Sequence, residues 1–245
     1  MPDPLTPQPL PGVSRVLGVA AGKGGVGKST VALGLAFALQ RQGLKVGFLD
    51  ADIHGPSLPR LLNINEKPDS DGKTLIPLEV HGLKVMSIGF LIPPEKAAIW
   101  RGPMMHHALR QLLWDVRWGA LDVLIIDFPP GTGDVPLTLA QQILMEILIV
   151  TTAHPLALED MARAVQMFRT LGVPLVGLIE NMSSFQCPCC ETDNLLWGEG
   201  EVVSQEATRH KILFLGKIPL SPKRQSCLHK PDTFFDHLAQ SLSKK

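Results

Sequence analysis

The feature that most constrains the fold is a short glycine-rich segment between an apolar run and a helical pattern. The apolar run covers residues 16–21, and residues 22–30 have the sequence Gly-Lys-Gly-Gly-Val-Gly-Lys-Ser-Thr. Apolar residues then recur at helical spacing as far as Gly43. A strand, a glycine-rich loop and a helix in this order are typical of a site that binds phosphate groups.

The chemistry of this loop follows from its residue types. Gly22 and Gly27 frame the spacing G-x-x-x-x-G-K-S, and the glycines let successive backbone N–H groups turn towards an anion. Lys28 can place its charge on the outer phosphates, and the Ser29 hydroxyl can bind Mg²⁺. The loop therefore predicts nucleotide contacts from Gly22, Lys23, Gly24, Gly25, Val26, Gly27, Lys28, Ser29 and Thr30.

Two aspartates follow predicted strands and are candidate catalytic residues. Asp52 comes shortly after an apolar strand at residues 45–49, and Asp127 directly follows another at residues 121–126. Acidic residues at the carboxyl ends of parallel strands face the crevice where ligands bind. We expect Asp127 to hold Mg²⁺ through water, and Asp52 to orient the attacking water or the magnesium shell. The competing interpretation of Asp52 is a helix cap or turn residue.

Asn181 is the candidate contact for the base. It follows a predicted strand at residues 173–179, on the edge of the sheet where the nucleotide is expected. The chain contains no Asn-Lys-x-Asp guanine signature, which favours adenine, and hence ATP. A plain turn residue is the alternative role for Asn181.

Composition limits the other classes of function. The 245 residues suffice for one large α/β domain, which we place at residues 15–245 after a proline-rich, flexible lead-in at residues 1–14. Lys and Arg together number 23, as do Asp and Glu, and this balance argues against a nucleic-acid or anionic-membrane surface. No apolar run is long enough to span a membrane, so we expect a cytoplasmic protein.

The second informative stretch is a group of cysteines. Cys187 and Cys190 form a C-x-x-C pair, and Cys189 lies between them. This spacing lets two thiolates bind one metal centre, but a zinc site or a cubane cluster usually needs four protein ligands. A symmetric dimer would supply four sulfurs from two such pairs. A redox dithiol, or buried inert cysteines, are the alternatives.

Together these stretches resemble the Mrp/ApbC family of iron–sulfur cluster carriers, which are deviant-Walker-A ATPases related to MinD and ParA. The resemblance extends over residues 15–222. The matching blocks are the loop at 22–30, Asp-Ala-Asp-Ile-His-Gly-Pro-Ser at 50–57, Trp-Arg-Gly-Pro-Met at 100–104, Asp-Phe-Pro-Pro-Gly-Thr-Gly-Asp at 127–134, Glu-Asn-Met-Ser at 180–183 and Cys-Pro-x-Cys at 187–190. The last block separates this family from its relatives.

The resemblance implies a three-layer P-loop NTPase fold, with a mainly parallel sheet flanked by helices on both faces. It also implies a homodimer that hydrolyses ATP, with Lys23 reaching across the interface to the partner's nucleotide. Cys187 and Cys190 would bind a bridging [4Fe-4S] cluster, with a cluster-assembly scaffold and apo iron–sulfur proteins as partners. Lys23 as a solvated loop charge is the alternative.

The sequence also departs from the family pattern. After residues 216–220 the family's Asp-x-Gly-x-Pro segment is missing, and residues 223–231 take its place. Two competing functions therefore remain open. One is a MinD- or ParA-like positioning ATPase that binds membrane or DNA through a tail such as residues 234–245. The other is a zinc-stapled scaffold that binds nucleotide without hydrolysing it.

Overall fold

A nine-stranded sheet forms the middle layer of the structure. The computed structural model describes residues 6–53, 55–91, 102–197, 200–221 and 228–243. The strand order is β3-β4-β2-β5-β1-β6-β7-β8, with β9 also beside β7; neighbours are parallel except for the pairs β3–β4 and β7–β8. The strands are β1 Val13–Ala20, β2 Val46–Asp50, β3 Leu78–Val80, β4 Leu83–Ser87, β5 Leu121–Asp127, β6 Glu146–Thr151, β7 Leu175–Gln186, β8 Asp193–Leu195 and β9 Phe214–Leu220.

Helices cover both faces of this sheet. Helices α1 and α8 belong to one cluster of buried apolar residues, and α4, α5 and most of α6 belong to the other. The predicted fold class is therefore confirmed: a mainly parallel sheet between two layers of helices. The helices in the described ranges are α1 Lys28–Arg41, α2 Leu58–Leu61, α3 Ile88–Leu91, α4 Gly102–Trp114, α5 Asp134–Gln142, α6 Pro155–Thr170, α7 Val202–Arg209 and α8 Thr233–Ser243.

The central strands are buried along almost their whole length. Every residue of β2 is buried, as are all residues of β5 except Asp122. Helices on both faces explain why these strands have continuous apolar runs instead of an alternating pattern. Because β1, β2 and β5 are parallel neighbours, their carboxyl ends meet at one edge, where Asp50 pairs with Asp127 in the register.

The structure changes two expectations about element boundaries. The sequence pattern of residues 83–90 predicts one strand, but β4 ends at Ser87 and α3 begins at Ile88, where the Ser87 Oγ accepts a hydrogen bond from Gly89 N at 3.0 Å. The lead-in predicted over residues 1–14 is anchored from Gln8, which bridges to Ile143, and Leu10 is buried in the core. Strand β1 then takes in the last two residues of that segment.

The C-terminal helix packs against the domain. Phe235 lies over Gly34 of α1, where a Cβ would overlap its ring, and Arg41 Nη2 donates to Asp236 Oδ1 at 2.6 Å. Leu238 and Leu242 of α8 are buried as well. In the described ranges, no helix has the length and apolar character needed to cross a membrane.

Candidate functional site

The glycine-rich loop joins β1 to α1 in the geometry that an anion site requires. Gly25 and Gly27 have φ angles of 84° and 81°, which glycine adopts without the steric cost of a side chain. Gly27 is the N-cap of α1, and no side chain caps this helix. The N–H groups and the positive dipole end of the first turn can therefore serve a phosphate.

A cavity of about 220 Å³ opens over the loop. It brings together most of the predicted phosphate-binding residues and one of the predicted catalytic aspartates. The residues around it are Lys23, Gly24, Gly25, Gly27, Lys28, Ser29, Thr30, Asp52 and Pro130. The Asp52 Oδ1 accepts a hydrogen bond from Gly55 N at 3.1 Å, so its loop is ordered beside the cavity.

Lys28 and Asp127 form a buried ion pair at the base of the cavity. The Lys28 Nζ donates to Asp127 Oδ1 and lies 3.3 Å from Ser29 Oγ. Burial raises the pKa of Asp127, and the charge of Lys28 opposes that rise. The positive charge of Lys28 therefore stabilises the charged form of the Asp127 carboxylate, which burial destabilises.

The second oxygen of this carboxylate fits a metal ion. Asp127 Oδ2 is buried and has no hydrogen-bond partner among the described residues. A buried carboxylate oxygen without a donor, next to a serine hydroxyl, is a suitable environment for Mg²⁺ or for a water molecule bound to it. The structure therefore fits the predicted pairing of Ser29 and Asp127 at a magnesium ion.

Asp50 was not among the predicted site residues, yet it organises the loop that carries Asp52. Its Oδ1 accepts from Asp52 N at 3.1 Å, and its Oδ2 accepts from Ser57 N and Leu58 N, both at 2.9 Å. Ser87 Oγ at the end of β4 donates to the same oxygen at 3.0 Å. Asp50 therefore ties both ends of this loop to the sheet.

The environment of Asp50 also shifts its ionisation. Burial, and then the nearby charge of Asp127, raise its pKa to about 7, although the hydrogen bonds it accepts act in the opposite direction. The sequence signals for this residue were its position at the end of a strand, two residues before Asp52, and its place at the start of the block at 50–57.

Asn181 lies behind the loop and fixes its backbone. Its Nδ2 donates to Val26 O at 2.8 Å, and a Cβ added to Gly27 would overlap this nitrogen. A small pocket beside it is lined by Gly27, Thr30, Asn181, Met182, Pro219, Leu220 and Ser221. This mixture of apolar side chains and loop backbone suits a nucleobase, and contact between Asn181 and adenine stays a prediction.

The cysteine pair lies in the turn of a β-hairpin formed by the end of β7 and β8. Cys187 N donates to Thr192 O, and Glu191 N donates to Cys187 O, both at 2.9 Å. Cys187 is half-buried, whereas Cys189 and Cys190 are exposed free thiols. The alternative of buried, inert cysteines is therefore wrong for Cys189 and Cys190.

The hairpin makes one of these thiols more acidic. Hydrogen bonds from Thr192, from the side chain first and then from the backbone, lower the pKa of Cys190. The Sγ of Cys190 lies 3.3 Å from Thr192 Oγ1. A lower pKa favours the thiolate, which is the form that binds metals.

No complete metal site is found within the part of the chain that the structure describes. Nowhere in these residues do three His, Cys, Asp or Glu side chains come together as ligands for one ion. Cys187 and Cys190 thus provide at most half of the four sulfurs that a cubane cluster usually takes. His54, Arg101 and Cys227 lie outside the described residues.

A comparison with protein-family models identifies the chain. The model described as ParA, NUBPL iron-transfer P-loop NTPase, matches residues 12–245. The chain belongs to this iron-transfer P-loop NTPase family. The resemblance to Mrp/ApbC carriers and to MinD-like ATPases seen in the sequence is thereby confirmed.

Individual relatives agree with this membership. The "Iron-sulfur cluster carrier protein" of Aquifex aeolicus is 46% identical over 223 residues, which are 89% of this chain and 61% of the relative. The chain thus spans about three fifths of the length of such bacterial relatives. It covers 61% of the relative from Helicobacter pylori and 57% of the relative from Haemophilus influenzae.

Solved structures support the fold. A nucleotide-binding protein from Archaeoglobus fulgidus, in complex with ADP, is 37% identical, with a TM-score of 0.75 and 91% of each chain covered. The cell division ATPase MinD from Pyrococcus furiosus has a TM-score of 0.69 at 19% identity, with 94% of this chain and 99% of MinD covered. At that identity, MinD supports only the shared P-loop NTPase architecture.

Proposed function

We propose that this chain is an ATP-hydrolysing carrier that binds a [4Fe-4S] cluster between two copies of itself and delivers it to apo-proteins. The observation that carries the proposal is the presence of two features at one end of the sheet. One is a phosphate-binding cavity with a buried Lys28–Asp127 pair, and the other is a hairpin turn that presents Cys187 and Cys190. Relatives named as iron–sulfur cluster carriers add support.

The chain's own residues define the proposed hydrolysis. Backbone N–H groups of residues 24–29 bind the phosphates, and Lys28 moves its charge from Asp127 to the outer phosphates. Ser29 and Asp127 hold Mg²⁺, which neutralises charge on the phosphates when it is bound. Asp52, which lines the same cavity, orients the attacking water, and Lys23 contributes a charge to the site of the partner copy.

The proposed cargo site needs two chains. Each copy contributes the thiolates of Cys187 and Cys190, and four sulfurs then satisfy one cluster. Cys189 lies on the same turn, and we treat it as a spare thiol. A cluster-assembly scaffold would load the dimer and apo iron–sulfur proteins would accept the cluster, in the cytoplasm.

The positioning-ATPase alternative has less support from the structure. That function would need a C-terminal helix whose apolar face is free to bind a membrane, but α8 buries Phe235, Leu238 and Leu242 against the domain. The overall charge balance gives no general basic surface for DNA. Co-sedimentation with liposomes and with DNA in the presence of ATP would detect such binding.

Anaerobic reconstitution with iron and sulfide tests the proposal. Wild type should bind about four iron and four sulfide per dimer and show the visible charge-transfer band. The Cys187→Ala/Cys190→Ala variant should lose both, whereas the matched Cys189→Ala variant should keep them. Equal cluster content in wild type and the double variant would refute the carrier function, and zinc without sulfide would favour the stapled scaffold.

A further inference from the structure

The hairpin that carries the cysteines also exposes an unusual number of large apolar side chains. Leu195, Leu196 and Trp197 are 52%, 39% and 41% exposed, and Leu156 at the start of α6 is 56% exposed. We call these four residues the hairpin patch. A single exposed leucine is ordinary, but neighbouring exposed apolar residues next to candidate ligands indicate a contact surface.

The patch is held in place against the body of the domain. The Trp197 ring meets the His154 ring edge to face, with 4.9 Å between centroids and an interplanar angle of 88°. His154 is the N-cap of α6, and its Nδ1 accepts a hydrogen bond from Leu156 N at 3.2 Å. The end of the hairpin and the start of α6 therefore form one continuous surface.

The hairpin patch lies close to the candidate sulfur ligands. In the β7–β8 pairing Leu195 is opposite Ser184, which precedes Cys187 by three residues. At the rise of an extended chain, three residues correspond to about 10 Å. Leu195, at one end of the patch, is therefore about 10 Å along the chain direction from Cys187, and the rest of the patch continues from it.

We propose that the hairpin patch is the apolar contact between two copies of this chain, surrounding the cysteines that they share. The inference rests on the proposed function and specifies the residues of its interface. Cys187 and Cys190 supply two sulfurs, and a second copy related by a two-fold axis supplies two more. Leu195 then lies beside that axis, and the exposed apolar residues continuous with it are placed to meet the partner copy, so the occupant of the patch is a second copy.

Helix α6 extends this surface towards the nucleotide cavity. Its first turn carries Leu156, and its N-cap His154 contacts Trp197. Its backbone at Asp160 packs so closely on Gly22 that a Cβ there would overlap it. Lys23 follows Gly22 directly. One interface along the start of α6 can therefore cover both the lysine proposed to act in trans and the hairpin patch.

The patch would shield the cluster from water and oxygen in the dimer. Apolar side chains packed around a metal site lower solvent access and the local dielectric. Loss of the patch should therefore weaken the dimer and speed the loss of the cluster in air, although the four cysteine ligands of the dimer are still present.

The test uses a Leu195→Ser/Trp197→Ser variant of the full chain. Its matched control is Leu144→Ser, which removes a leucine of similar exposure, 55%, that precedes β6 and so lies at the opposite edge of the sheet from the patch. Sedimentation of the reconstituted proteins should show a dimer dissociation constant at least about tenfold higher for the patch variant. The control should match wild type, and circular dichroism should show that both variants are folded.

Tryptophan quenching gives a second measurement that needs no destabilised variant. The difference between wild type and Trp197→Phe isolates the emission of Trp197. Acrylamide should quench this emission in the cluster-free monomer and much less after reconstitution, because the partner copy covers the ring.

The outcomes separate the two proposals. If wild type binds no cluster, the carrier function itself fails, and this inference fails with it. If wild type forms a cluster-bearing dimer, but the patch variant dimerises equally well and Trp197 stays open to acrylamide, only the inference is overturned. A patch variant that dimerises normally but no longer transfers its cluster to an apo-protein would assign the patch to recipients and also overturn the inference.

Discussion

At the scale of single residues, the Lys28–Asp127 pair makes the nucleotide-free protein depend for its stability on a side chain that we propose to be catalytic. Lys28→Met should destabilise this state by about 3–5 kcal/mol, because it leaves a buried carboxylate without its cation. Lys28→Met/Asp127→Leu, which removes both charges, should cost clearly less than the single change. Urea unfolding without nucleotide or magnesium measures the double-mutant cycle.

The loss of stability in the Lys28→Met variant should depend on pH in a defined direction. Without Lys28, the folded-state pKa of Asp127 rises further above its unfolded value, so the folded state binds a proton that the unfolded state has released. Stability relative to wild type should therefore fall as pH rises towards the folded-state pKa of Asp127 in the variant. The buried pair would be contradicted if the stability losses of the two single changes simply added up to that of the double change. A stability loss in Lys28→Met that did not depend on pH would contradict it as well.

Asp50 differs from this pair because it positions the loop that carries Asp52. Asp50→Asn keeps the size of the side chain but puts an N–H₂ group where one oxygen accepts hydrogen bonds. Misplacing the Asp52 loop by about 1 Å should lower the kcat of ATP hydrolysis by about 10²-fold. KM for ATP should change little, because the phosphate contacts come from residues 24–29. A variant with unchanged kcat, or one that loses only nucleotide affinity, would exclude this positioning role.

At the scale of elements, local sequence patterns predicted those parts of the site that are built locally. The β1–loop–α1 unit and the strand that ends in Asp127 depend on neighbouring glycines and apolar runs. Asp50 was missed because its partner Ser87 is 37 residues away in the chain. The β7–β8 hairpin was missed because every residue of β8 is exposed, which leaves no buried face for a pattern to reveal.

The two ends of α1 offer a matched test of the phosphate-binding loop. Gly27 before the helix and Gly43 after it have φ angles of 81° and 86°, so alanine is strained at both by about 1–2 kcal/mol. Only at Gly27 would the new Cβ meet another side chain, that of Asn181. Gly27→Ala should therefore abolish ATP binding in calorimetry, whereas Gly43→Ala should lower stability and leave affinity unchanged. Equal ATP affinity in the two variants would contradict the proposed role of the loop.

At the scale of the whole molecule, the arrangement suggests why nucleotide and cluster could depend on each other. Gly22 of the phosphate loop packs on α6, and Trp197 after the cysteine hairpin contacts His154, the N-cap of the same helix. A helix that contacts two sites couples them only if it can adopt two arrangements, and if binding at each site changes the populations of those arrangements. A dimer that closes and opens along α6 would provide those two arrangements. The proposed coupling therefore depends on Lys23 acting on the nucleotide of the partner copy.

Mixing two inactive variants tests that trans action. Lys23→Ala removes the lysine offered to the partner, and Asp52→Asn disables the site of its own chain, so each homodimer should lack ATPase activity. In a mixed dimer, the Lys23→Ala subunit keeps its Asp52 and receives Lys23 from the other copy, which gives one complete site. Random pairing at equal concentrations should restore about a quarter of the wild-type rate, since half of the dimers are mixed and each has one active site of two. If Lys23 acts within its own chain, no mixed dimer has a complete site and mixing restores nothing. Co-purification of the two variants through a tag carried by only one of them provides the control for subunit exchange.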